Sequence, residues 1–255
     1  MPLEILTIPC LSDNYAFLAH DAASGETALV DAPEAGPILA ALKDKGWSLS
    51  HVLLTHHHWD HVDGLPGILE HHKPKVIGAK ADAHRLPPLD LAVAEGDRFE
   101  IGGAPVHVYD VSGHTVGHIA FYLPDSAAVF TADSLMALGC GRLFEGTPDQ
   151  MWASLSKLAA LPPETTVYSG HEYTQSNGRF ALTIEPDNAE LISRTEAIAR
   201  DRASNIPTVP SQLSLELATN PFLRAHLPGV QRNLGMQGAE PARVFAEIRA
   251  RKDKF

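Results

Sequence analysis

The stretch Thr55-His56-His57-His58-Trp59-Asp60-His61 sets four histidines and an aspartate directly after the apolar run Val52-Leu53-Leu54. Imidazole and carboxylate together suit zinc, and tolerate iron or manganese. In extended backbone, residues two apart point the same way. His56 and His58 can therefore reach one ion, while His57 points elsewhere. Asp60 and His61 follow where the chain turns toward a helix, and can reach a second ion nearby. Three more segments repeat the design of a short apolar strand ending in candidate ligands. Val108-Tyr109-Asp110-Val111 leads to His114 and His118, Ala128-Val129-Phe130-Thr131 leads to Asp133, and Thr166-Val167-Tyr168-Ser169 leads to His171. A chance surface cluster of histidines would not be matched in this way by three other segments.

The segments THHHWDH, GHTVGH, TADS and GHEY together resemble the metallo-β-lactamase superfamily, and within it the hydroxyacylglutathione hydrolase (glyoxalase II) family. The likeness extends over nearly the whole chain. It implies an α/β fold, a metallo-β-lactamase-like αββα sandwich with a C-terminal all-helical domain. It also implies a ligand set: His56, His58 and His114 on one metal, Asp60, His61 and His171 on a second, and Asp133 bridging the two. A carboxylate has two oxygens to offer a pair of dications, and a bridging hydroxide would complete each shell. Asp133, Asp60 and His118 are the candidate catalytic residues. His118 either holds a ligand by a hydrogen bond or is a buried structural histidine. Thr55 and Asp110 are weaker candidates for the same supporting role.

Two dications lower the pKa of shared water enough to supply hydroxide near neutral pH. A thioester suits that nucleophile, because its leaving thiolate has a pKa of about 8.5 and departs with little help from an acid. Asp60 and Asp133 are then ligands, and no separate acid–base pair is required. The family resemblance implies hydrolysis of S-(2-hydroxyacyl)glutathione, chiefly S-D-lactoylglutathione, to the hydroxy acid and glutathione in methylglyoxal detoxification.

The segment Gly139–Thr147 resembles the family's glutathione-contacting loop, with Arg142 and Phe144 where relatives often carry lysine and tyrosine. Arginine keeps the charge, whereas phenylalanine loses the hydroxyl. Tyr173 matches a tyrosine that contacts the glutathione backbone. Arg249 and Lys252 lie three residues apart, on one face of a helix. The resemblance makes them a clamp for the glycine carboxylate, although basic residues in a last helical turn are also favoured simply by the helix dipole. Asn220-Pro221-Phe222-Leu223-Arg224 resembles the family's helical domain.

The elements that must position these residues can be read from turn signals and periodicity. Strands are expected at Leu3–Ile8, Ala16–Ala19, Ala28–Val30, His51–Leu54 and Lys75–Gly78, with a helix from about Pro33 to Lys45 stopped by Gly46. Another short helix is expected near Leu65–His72. Arg98–Ile101 and Pro105–Val111 read as a hairpin, and Ile119–Leu123 with Ala128–Thr131 as a strand pair. Thr147-Pro148-Asp149-Gln150 opens a helix with a capping signature, and Thr166–Ser169 reads as the last strand. Beyond Tyr173 helical spacing takes over, with a capped start at Asp187–Glu190 and a final helix around Val244, Phe245 and Ile248. The expected domains are 1–173, catalytic, and 174–255, helical and substrate-binding.

The chain has 255 residues, a net charge of −11 with histidines neutral, 14 histidines and two cysteines. His71, His72, His84, His107 and His226 have no ligand-like company and read as ordinary surface or hydrogen-bonded histidines. The acidic balance argues against nucleic acid or an anionic membrane as a partner. Two cysteines make no disulfide framework, and the N-terminus shows no signal-peptide pattern, so a reduced, cytoplasmic setting is expected; separately, a monomer is expected. Iron-dependent glutathione persulfide oxidation on the same scaffold is the alternative activity. A lactamase or nuclease, or a non-catalytic metal-binding module, fits less well.

Overall fold

Short apolar segments between turn residues become strands here because each can bury one or both faces. The computed structural model describes residues 2–255. It comprises two compact units, one formed by the chain up to Asp110 with Val116–Phe130, the other by Val111–Thr115 with Thr131–Phe255.

In the first unit the chain runs β1 (Glu4–Cys10), β2 (Asn14–His20), β3 (Thr27–Val30), α1 (Ala35–Lys45), β4 (His51–Leu54), α2 (Trp59–Val62), α3 (Leu65–Leu69), β5 (Lys75–Ala79) and β6 (Leu91–Val93). It continues with β7 (Arg98–Ile101), β8 (Ala104–Asp110), β9 (Ile119–Leu123) and the start of β10 (Ala128–Ala132). One sheet has the order β1-β2-β3-β4-β5-β6. Its first three strands form an antiparallel meander, and β3, β4, β5 and β6 run parallel. A parallel set aligns its C-terminal ends at one edge, where α/β sheets gather ligand-binding side chains. The loops after β3 and β4 leave from that edge. The strands of the second sheet in this unit run β10-β9-β8-β7, all antiparallel. Phe17 on β2 and Phe130 on β10 meet with ring centroids 5.6 Å apart, and both are buried. α1 packs on α3 and β1, and ends as expected at Gly46, whose left-handed backbone (φ 67°) returns its N–H to the last carbonyls.

The second unit carries β11 (Leu135–Met136), β12 (Gly139–Cys140), α4 (Pro148–Ala159), β13 (Thr166–Ser169), α5 (Thr174–Ile184), α6 (Ala189–Ala203), β14 (Ser211–Gln212), α7 (Leu213–Thr219), α8 (Pro228–Leu234) and α9 (Pro241–Lys254). The capping box of α4 is complete: Thr147 accepts from Gln150 N, and the Gln150 side chain accepts from Thr147 N. Asn188 caps α6 through Leu191 N. Thr166–Ser169 is not the last strand, because Ser211-Gln212 pairs antiparallel with it across Val167 and Thr166. Two residues are too short a run to carry a periodic signal.

A buried ionic cluster fixes α6 on α7. Glu216 is fully buried and ion-pairs with Arg194. It also accepts from Leu138 N (2.8 Å), Ser211 Oγ (2.7 Å) and Asn220 Nδ2 (3.1 Å). Satisfying every oxygen offsets the cost of burying the charge. No described helix is long and apolar enough to cross a membrane. Replacing Glu216 by alanine strands the Arg194 guanidinium, and should cost about 3–5 kcal/mol. Chemical denaturation of the two proteins measures it, and the double variant Arg194→Met/Glu216→Leu should recover part of the loss.

Candidate metal centre

Asp31 organises the candidate ligands of the first unit. It follows β3, its N–H donates to Leu53 O, and its backbone sits in the left-handed region at φ 56°. A non-glycine residue held there signals a position dictated by its surroundings. The buried carboxylate accepts from Thr55 N (2.9 Å) and Thr55 Oγ1 (2.8 Å), and lies 2.8 Å from His61 Nδ1. His61 therefore carries its proton on Nδ1 and presents the Nε2 lone pair. The Thr55 hydroxyl gives its proton to Asp31, so it accepts from His56 Nδ1 at 3.0 Å. His56 is left, like His61, with Nε2 as its donor atom. His56 Nε2 and His58 Nδ1 face each other at 3.2 Å. His58 is the N-cap of α2, which carries Asp60 and His61 in its single turn. Asp60 Oδ2 lies 3.8 Å from His61 Nε2 and accepts from Asn14 Nδ2 at 3.0 Å.

His57 turns away, as the alternation requires, to Asp82 Oδ2 at 3.0 Å. Asp82 also accepts from Arg85 Nε and is fully buried. Gly117, between His114 and His118 in sequence, lies so close that a Cβ would fall 2.1 Å from Asp82 Cγ. His118 donates toward Ile119 O and stacks on His56, with centroids 4.6 Å apart and planes at 12°. It steadies the face of a candidate ligand. Thr55 is the brace the sequence suggests, and the Asp110 N–H donates to Glu95.

The second unit holds its own candidate ligands, His114, Asp133 and His171. Ala132 at φ 40° turns β10 sharply into Asp133, and its carbonyl accepts from Gly170 N, which places His171. The Asp133 carboxylate sits between two imidazoles: Oδ2 is 3.4 Å from His114 Nε2, and Oδ1 is 3.3 Å from His171 Nε2. His114 Nδ1 donates to Arg142 O at 2.7 Å, which again leaves Nε2 as the lone-pair nitrogen. Gly141 makes that approach possible, since a Cβ there would lie 1.9 Å from Asp133 O and 3.0 Å from His114 Nδ1.

Around this half, Tyr173 stacks on His171 (4.7 Å, 5°), and the exposed Phe144 meets His114 edge-on at 5.2 Å. Arg142 extends into solvent beside Phe144. Arg249 is buried, and its Nη1 donates to Cys140 O at 3.0 Å. Lys252 is half-buried, with Nζ 3.5 Å from Ser176 O and 5.3 Å from the rings of Phe180 and Phe255. Burial, reinforced by the charges of Arg249 and Arg179, brings its pKa down to about 8.

The donors are nitrogen and oxygen only. Both thiols are buried, and desolvation pushes Cys10 up to about 12 and Cys140 up to about 11. Imidazoles with fixed tautomers and hydrogen-bonded carboxylates fit divalent metal ions. Asp31, Asn14 and Asp82 escaped the sequence reading. Asp31 carried a signal, since it ends an apolar strand just as Asp133 does. Nothing local ties Asn14 to Asp60 or Asp82 to His57, because those partners lie 46 and 25 residues away in the chain.

Residues 15–171 match the metallo-beta-lactamase superfamily, and residues 172–255 match the hydroxyacylglutathione hydrolase C-terminus. A hydroxyacylglutathione hydrolase of Ruegeria pomeroyi is 74% identical, and one of Roseobacter denitrificans 66%, each over the whole of both chains. Among solved structures, a protein crystallised in a di-iron-bound form is 28% identical with a TM-score of 0.61, and the alignment covers 86% of this chain and 100% of that one. The fold is that of the metallo-β-lactamases with a helical C-terminal domain, as the motifs implied. Full-length identity at this level, on a scaffold that presents oriented imidazoles and carboxylates, places the chain in the hydroxyacylglutathione hydrolase family of the metallo-β-lactamase superfamily.

Proposed function

We propose that the chain hydrolyses glutathione thioesters of 2-hydroxy acids, S-D-lactoylglutathione foremost, to the hydroxy acid and glutathione. The observation that carries the proposal is the Asp133 carboxylate, with one oxygen toward each of two imidazoles. In this reading His56, His58 and His114 would hold one divalent ion and Asp60, His61 and His171 a second, with Asp133 available to both. Zinc suits the donors best, and iron or manganese would also be accepted. Two such ions, when bound, would supply Lewis-acid polarisation of a thioester carbonyl and a water of lowered pKa.

The chain's own residues do the rest. Asp31 and Thr55 keep protons off the metal-facing nitrogens of His61 and His56, and the Arg142 carbonyl does so for His114. His118 holds the plane of His56. The departing thiolate of glutathione needs no proton donor, since a thiol of pKa about 8.5 leaves as its anion. Tyr173 and Phe144 flank the two imidazoles and offer ring surface to the peptide portion. Arg142, Arg249 and Lys252 provide positive charge for its carboxylates in a chain whose net charge is −11. Phe144 can contribute packing but no hydroxyl hydrogen bond.

Residues 1–173 would form the catalytic domain and 174–255 the substrate-binding domain, a division that the two family matches support by meeting at 171 and 172. The protein would work as a cytoplasmic monomer on methylglyoxal-derived thioesters, without nucleic acid or a membrane. Iron-dependent persulfide oxidation, the alternative raised by the sequence, is not favoured, because the full-length relatives described above carry the hydrolase name.

Three outcomes test this reading. Purified, metal-loaded protein should consume S-D-lactoylglutathione, followed by loss of thioester absorbance. Chelation should abolish the activity and zinc should restore it, while turnover that survives complete metal removal would end the proposal. Asp133→Ala should lower activity on the order of 100-fold or more and reduce the bound metal found by elemental analysis. Lys252 is protonated below about pH 8 and loses its charge above it. KM should therefore rise about threefold to fivefold between pH 7 and pH 9. Lys252→Arg, whose guanidinium stays charged, should flatten the profile.

A further inference from the structure

We infer that Asp253 occupies the substrate's carboxylate site from within the chain, so that a glutathione thioester must displace it to bind. The inference rests on the reading of the substrate given above. One oxygen, Asp253 Oδ1, faces two guanidinium groups. Arg249 approaches it through Nη2 (2.9 Å) and Nε (3.1 Å), and Arg142 through Nε (3.6 Å). Arg249 comes from the middle of α9 and Arg142 from the loop after β12, so two separate segments converge on this one carboxylate. A guanidinium's forked N–H donors suit a carboxylate, and two such groups converge on one oxygen. Here an aspartate already supplies it.

Position on the helix argues the same way. Asp253 lies in the last turn of α9, where the helix dipole disfavours a negative charge. Its neighbours Arg251, Lys252 and Lys254 are all of the favoured sign. The contacts that hold Asp253 are therefore those with the arginines: the Asp253 side chain is 39% exposed, that of Arg142 60% and that of Arg249 7%. The Arg142 contact is an exposed pair, weak and exchangeable, and the open Asp253 carboxylate leaves water and competing anions a route to the Arg249 guanidinium. Arg249 does not need Asp253 to stay in place, since Nη1 is anchored on Cys140 O and its guanidinium lies 5.3 Å from the Phe222 ring. Removing Asp253 would leave that cation in position with its carboxylate-facing side open.

The arrangement also has a use. A vacant cluster of Arg142, Arg249 and Lys252 would collect any small anion. With Asp253 in place, an anion must bring further contacts to displace it. A glutathione thioester can do so through its peptide and acyl portions, and a simple inorganic anion cannot.

The sign of one effect decides the matter. If Asp253 serves only to brace Arg249, its removal disorders the arginine and raises KM. If it competes with substrate, its removal lowers KM. In the full-length, metal-loaded enzyme, Asp253→Asn should lower KM for S-D-lactoylglutathione about threefold with kcat little changed. The dissociation constant of glutathione, measured by calorimetry, should fall in parallel. Asp253→Ala should shift both in the same direction, which separates the effect from any hydrogen bond the asparagine makes. A raised or unchanged KM in both variants overturns the inference while leaving thioester hydrolysis standing. No turnover by the wild-type enzyme overturns the functional reading, and this inference with it.

Discussion

A histidine can offer a lone pair only from the nitrogen that carries no proton, and the rest of the site depends on that constraint. Neutral imidazole has two tautomers, and in water neither is strongly preferred. At three positions here the choice is made by a hydrogen-bond acceptor behind the ring: Asp31 for His61, the Thr55 hydroxyl for His56 and the Arg142 carbonyl for His114. The first two are linked, since the Thr55 hydroxyl is free to accept from His56 only because its own proton is given to Asp31. One buried carboxylate thus sets two tautomers. Its location follows from the parallel pairing of β3 with β4, which brings the ends of both strands to one edge.

The motif residues were legible because each sits at the end of a short apolar strand, and a strand and its terminal turn are local in sequence. The hairpin of β7 with β8, the stop at Gly46 and the capping box at Thr147 were legible for the same reason. What escaped was set by distant partners. Asn14 matters because of Asp60, 46 residues away, and Glu216 because of Leu138, 78 residues away. The elements β6, β14, α7 and α8 are short and owe their form to packing, so their periodicity is too brief to recognise. The basic pair near the C-terminus shows another limit. Spacing put Arg249 and Lys252 on one helix face, but their environments differ, with Arg249 buried on Cys140 and Lys252 half-exposed with a lowered pKa.

The helical part of the second unit is held by polar as well as apolar contacts. Leu138, Ala181, Leu191 and Ile198 form one apolar cluster, and the Glu216 carboxylate reaches from α7 to the backbone of Leu138. Leu138 lies at φ 55°, between β11 and β12, in the same short connection that leads to Cys140 and Arg142. The helices therefore do more than present charged side chains, since they also hold the turn from which the Arg142 carbonyl reaches His114.

The fit at Gly141 bears on how such an enzyme can change over evolution. The backbone from Asp133 to Phe144 is pressed against itself at Gly141, where even one added carbon collides, and the same segment carries Arg142 and Phe144 into solvent. Lengthening or shortening it would drag the Arg142 carbonyl off His114 and free the choice of its tautomer. Divergence in this loop is therefore channelled into side-chain exchange at constant length, with the outward-facing positions 142 and 144 the ones free to change.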